Sequence, residues 1–163
     1  MKSTFIASTL LFGLFISAGA AAEEVNIEGE WQLVSAELTL GGETRSIFDP
    51  VIRSMIKIIT DSHFAFVSKG SVRPHFNSYQ LTPEEKSVAF DNFGGGGGRY
   101  TLEGKQYTEH VEYSSYPNYE GMSLIFTVSV EGDTLVQEGT YPIKELGLGS
   151  ENGYLKETYK RIP

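Results

Sequence analysis

The chain has 163 residues, with 21 acidic side chains against 13 basic ones and a formal net charge of −8. Such a surface repels nucleic acid and anionic membranes. Cysteine is absent, which removes thiolate catalysis, cysteine-ligated zinc, iron–sulfur clusters and a lipid-anchored lipoprotein from consideration.

The first element is a leader. Lys2 supplies one positive charge, residues 5–16 are mostly apolar, and residues 17–22 are small. This layout predicts a secretory signal peptide over residues 1–22, cut before Glu23, and hence a periplasmic or secreted protein. The apolar part is too short to span a bilayer, so no membrane insertion is expected after cleavage. Residues 23–163 suffice for one domain with its own core, and no linker divides them.

From residue 29 onward one pattern repeats. Short apolar/polar alternations are separated by turn residues, which predicts many strands. Residues 29–38 alternate Trp31, Leu33 and Ser35 against Gln32, Val34 and Ala36, and Gly41-Gly42 ends the run. Asp49 followed by Pro50 has the form of a helix start, so one short helix is expected there. Residues 55–60 and 63–68 read as a hairpin about Asp61-Ser62. Residues 76–81 and 86–90 read as another, about Thr82-Pro83-Glu84-Glu85. Residues 99–102 with 106–113, and 122–130 with 134–141, form two more, and 154–162 is the last strand. Between residues 94 and 98 lie five consecutive glycines. No Lys-Ser/Thr pair follows to make a phosphate loop, so a flexible turn or a bulge in a bending strand is expected.

Eight to ten strands joined by tight hairpins suit an all-β, up-and-down antiparallel barrel with at most one short helix, because closure leaves no unpaired edge. A two-sheet sandwich is the alternative that alternation leaves open.

Gly29-x-Trp31 on the first strand and Lys160-Arg161 on the last resemble the lipocalin-like proteins of the calycin superfamily. Residues 57–64 (KIITDSHF), 96–104 (GGGRYTLEG) and 107–113 (YTEHVEY) are similar to a subgroup of secreted bacterial lipocalin-like proteins. The resemblance covers nearly all of residues 23–163. It implies a barrel with a small-molecule cavity, whose closed base holds Trp31 with Arg161 lying across the indole. It implies no particular ligand.

Alternation assigns the faces. On residues 106–113, Tyr107, Glu109, Val111 and Tyr113 share the apolar side, with His110 and Glu112 opposite. Leu135 and Gln137 share another inner face, as do Leu155, Glu157, Tyr159 and Arg161. Leu124, Phe126, Val128 and Val130 form an apolar wall. Apolar walls with a few polar insertions are what a ligand cavity needs. Candidate ligand contacts are therefore Glu109, Gln137, Tyr107, Tyr113, Tyr159 and Phe126, with Arg73 and Tyr116 from loops at the mouth. Glu157 and Arg161 are expected to pair and close the base with Trp31, since buried charges need partners. His110 and Glu112 offer two ligands, too few for a metal site, and no metal or cofactor is expected.

The leading functional expectation is an exported barrel that binds a small, largely apolar molecule. The alternatives are an isomerase, cyclase or lyase using Glu109 as general acid or base, and a structural or partner-binding envelope protein.

Overall fold

The computed structural model describes residues 25–163. The expected leader lies outside the described residues. In chain order the elements are β1 (Gly29–Leu40), β2 (Glu43–Ser46), β3 (Arg53–Ile59), β4 (His63–Gly70), α1 (Pro83–Asp91), β5 (Phe93–Glu103), β6 (Gln106–Ser114), β7 (Ser123–Glu131), β8 (Thr134–Tyr141) and β9 (Gly153–Arg161). One 3-10 turn, Pro117–Tyr119, interrupts the β6–β7 connection.

All strand pairs are antiparallel, and neighbours follow chain order from β3 to β9. β1 pairs with β3 through its first residues and with β9 along most of its length. That second pairing closes an eight-stranded barrel, with β2 folded back on the outer half of β1. Closure decides between barrel and sandwich.

The two ends of the barrel differ. The tight β3–β4, β5–β6 and β7–β8 turns lie at one end with residues 25–28. There Ile27 and Trp31 are fully buried. Trp31 and Arg161 are register partners, and the guanidinium carbon stands 4.1 Å above the indole. Arg161 Nη1 donates to the Glu28 carbonyl at 3.0 Å, and the Trp31 indole N–H donates to the Ile27 carbonyl at 2.9 Å. A cation on the ring face, tied to the carbonyl of Glu28, makes a sealed floor. The long connections, which carry α1 and the 3-10 turn, gather at the opposite end and form the mouth.

Two local expectations are corrected. Residues 49–52 form a turn, not a helix: the Asp49 carboxylate accepts the Val51 N–H at 2.9 Å, and β3 begins at Arg53 before a helix can propagate. The hairpin expected over residues 76–90 is instead a loop followed by α1. Thr82 and Glu85 form a reciprocal capping box, with Thr82 Oγ1 accepting the Glu85 N–H and Glu85 Oε2 accepting the Thr82 N–H. Thr82-Pro83-Glu84-Glu85 is therefore a helix start. α1 buries none of its residues, so the apolar periodicity that usually marks a helix is missing.

Two bulges reset the alternation. On β1 the register with β9 shifts between Leu33 and Ser35. Trp31 and Leu33 point inward before the shift, and Ala36 and Leu38 after it. On β6 the shift falls at Glu112, where Gly98 faces Val111 but Gly97 faces Tyr113. The glycine run thus belongs to a bulged strand. Gly94, Gly96 and Gly98 lie opposite Ser68, Phe66 and Phe64 on β4, and the missing side chain at Gly96 leaves room for the Phe66 ring.

Candidate functional site

The barrel encloses a cavity of about 320 Å³. Its upper wall includes Met55, Ser68, Gly94, Tyr119 and Tyr141, and its sides include Phe64, Phe66, Val111, Leu124, Phe126 and Leu155. A larger hollow of about 800 Å³ lies among residues 69–81, but it is an open groove of exposed loop residues.

The deep end of the cavity is ionic. Lys57 projects from β3, with 2 % of its surface exposed. Its ammonium donates to Glu109 Oε1 at 2.5 Å and to Gln137 Oε1 at 2.7 Å. Phe64, Tyr107 and Tyr159 present their rings at 5.5–5.6 Å from Nζ. An ammonium survives in such a place only when its desolvation is offset by a carboxylate, a carbonyl and ring faces together. Gln137 relays the network: its amide nitrogen donates to Glu157 Oε2 at 2.7 Å. The Tyr159 hydroxyl donates to the same oxygen at 2.8 Å.

Glu157 is held above its ordinary range. Burial raises it most, and Lys57 with the two hydrogen bonds only partly offsets that. The folded state keeps its proton to higher pH than the unfolded chain does. Folding therefore takes up a proton, and stability falls as pH climbs from the ordinary value near 4.5 through the raised one. Below both values the contribution is fully present. Glu157→Gln should accordingly gain thermal stability relative to the native chain as pH rises from about 4 to 7. Melting curves of both proteins at several pH values check this; a difference that does not change with pH would contradict it.

The tyrosines around the cavity are all raised, chiefly by burial, so they act as neutral hydrogen-bonding groups. Near the mouth the Tyr119 and Tyr141 hydroxyls bond to one another. The Tyr107 hydroxyl, close to Glu109, meets no hydrogen-bond geometry among the described residues.

Glu109, Gln137, Phe126 and Tyr159 meet at the cavity, as their strand phase predicted. Tyr107 packs beneath it, fully buried, against Tyr100 at 5.2 Å. Three loop or strand-end candidates stand elsewhere. Tyr113 is 70 % exposed on the outer face, because the bulge at Glu112 turns it over. The Tyr116 hydroxyl donates to the Leu146 carbonyl and ties two loops together. Arg73 lies on the open groove, 5.2 Å above the Phe93 ring. Glu157 is not paired with Arg161: it belongs to the cavity network, while Arg161 holds Trp31 and Glu28. His110 and Glu112 lie on the outer side, bonded to Ser123 and Arg99 respectively.

Lys57 is hidden in the strand pattern. Met55, Lys57 and Ile59 share a phase, but Ile56 and Ile58 occupy the other, so residues 55–59 look apolar on both sides. The available signal was the lone cation in that run.

Neither a curated protein nor a solved structure matches this chain. Residues 28–162 match the family model described as a lipocalin-like domain. That span runs from the floor segment before Trp31 to the residue after Arg161, so the whole closed barrel is covered, and the chain belongs to the lipocalin-like domain family.

Proposed function

We propose that this protein is an exported binder of a small, largely apolar molecule, held in the barrel with one polar end toward Lys57, Glu109, Gln137 and Glu157. The observation that carries the reading is the cavity itself: about 320 Å³, apolar along its walls and ionic at its base. Ligand pockets run from about 300 to 1,000 Å³ and combine mostly apolar lining with a few oriented polar groups. The volume lies at the small end of that range and suits a compact ligand. Export rests on the leader-like residues 1–22.

Binding is favoured over proton-transfer chemistry by the engagement of Glu109. A general base needs a carboxylate free to reach substrate, and here Lys57 holds that group.

N-phenyl-1-naphthylamine, an uncharged fluorophore, tests the reading. Its emission should rise on mixing with the purified protein. Gly94→Leu, which extends a side chain from an inward position with ordinary clearance, should weaken binding about tenfold or more by filling the cavity. Equal binding to both proteins would place the probe outside the barrel and remove the support for this reading.

A further inference from the structure

The charges at the base of the cavity do not balance. The cationic or anionic lining side chains among the described residues are Lys57, Glu109 and Glu157. Lys57 is satisfied by Glu109 and Gln137 and makes no hydrogen bond to Glu157. Glu157 accepts two hydrogen bonds, from Gln137 and Tyr159, and both fall on Oε2. Its other oxygen has no hydrogen-bond partner among the described residues. Protein encloses Glu157, yet the side chain keeps some accessible surface and lines the cavity.

Resting on the cavity-binding reading, we propose that the ligand is a small amine: a protonated nitrogen on a compact, preferably aromatic body, with the ammonium placed against the free oxygen of Glu157. Three arguments support it. A cation would bring the buried charges to two against two, removing the uncompensated carboxylate that otherwise costs stability. An ammonium donates and the free carboxylate oxygen accepts, a charge-assisted pairing. The remaining walls, which include Phe66, Phe126, Tyr119 and Tyr141, suit a flat apolar body and can add ring-face attraction for a cation. A carboxylate ligand fits badly, because the only lining cation among the described residues is already taken by Glu109 and Glu157 would repel it. The groups that bear on Glu157 are Lys57 from β3, Glu109 and Tyr107 from β6, Gln137 and Tyr141 from β8, Tyr119 from the mouth and Tyr159 on its own strand.

Three probes of one shape distinguish the ligand classes by calorimetry on the purified protein: 2-phenylethylamine, 2-phenylethanol and 3-phenylpropanoate. The amine should bind about tenfold or more tighter than the alcohol, as expected for a buried charge-assisted hydrogen bond, and the carboxylate should bind weakest. Glu157→Gln should erase the preference for the amine over the alcohol. In the native chain, amine affinity should climb with pH as Glu157 ionises, while alcohol affinity should stay level. That profile keeps the proposal testable even where the variant fails to fold. Alcohol binding as tight as amine, a carboxylate preference, an unchanged preference in Glu157→Gln, or an amine affinity that does not respond to pH would each overturn the proposal and leave cavity binding standing. Failure of all three probes to bind, together with no fluorophore binding, would overturn both.

Discussion

Lys57→Met should cost about 3–5 kcal/mol, the usual penalty for removing one member of a buried ion pair. In a domain of this size that corresponds to roughly 10–15 °C in Tm. The loss comes less from the attraction removed than from the carboxylate left behind. Glu109 is 4 % exposed, and without Lys57 it has no ion-pair partner among the described residues. Gln137 Oε1 loses its donor at the same time. Lys57→Met combined with Glu109→Leu should recover most of the loss, since replacing a whole buried pair by apolar groups is often neutral. Urea unfolding of the native, single and double variants measures the coupling. Additive losses in the double variant would show that the pair does not act as one unit. The double variant should still take up the uncharged fluorophore, because the apolar walls of the cavity remain.

Gly98→Ala is the second large effect, for a different reason. A Cβ at residue 98 would lie 2.0 Å from the His110 carbonyl oxygen and 2.9 Å from the Glu112 amide nitrogen. Both are backbone atoms at the bulge where β5 and β6 change register, so neither can rotate away as a side chain would. The expected destabilisation is about 3 kcal/mol, the upper end of ordinary overpacking. Gly94→Ala, four residues earlier in the same run, meets nothing nearer than Ser115 Oγ at 3.8 Å. It should stay within about 1 kcal/mol of the native chain. Denaturant midpoints for the two variants settle the matter: equal losses would mean that the run is needed for its chain flexibility, not for close backbone approach.

The contrast within the glycine run shows where sequence reading reaches and stops. Five glycines followed by a strand-like stretch announce a bent or bulged strand. Which glycines carry a steric constraint depends on the atoms of β4 and β6 that approach them, and those are distant in the chain. The same bulge explains Tyr113. It follows Tyr107, Glu109 and Val111 in strict alternation, yet one residue slipped at Glu112 sends it to the outer face. The misplaced helix has a local cause. Thr82-Pro83-Glu84-Glu85 carried a full capping box, but α1 packs no face into the core and so shows no apolar stripe to accompany it.

By itself the sequence determined the hairpins over residues 55–68, 99–113 and 122–141, the last strand, and the inward phase of Glu109, Gln137, Phe126 and Tyr159. These follow from period-2 alternation and from the need to close a barrel, both of which are written along the chain. Tertiary structure alone decided the partners. Alternation ranks residues within one strand but says nothing of which strand end lies across the cavity. Lys57 meets Glu109 and Gln137 over separations of 52 and 80 residues. Glu157, in phase with Arg161 on β9, joins the cavity because Gln137 faces it on β8, while Arg161 is drawn to the indole at the floor. A buried charge is placed by whichever partner closure brings within hydrogen-bond reach, and that geometry exists only once the barrel is shut.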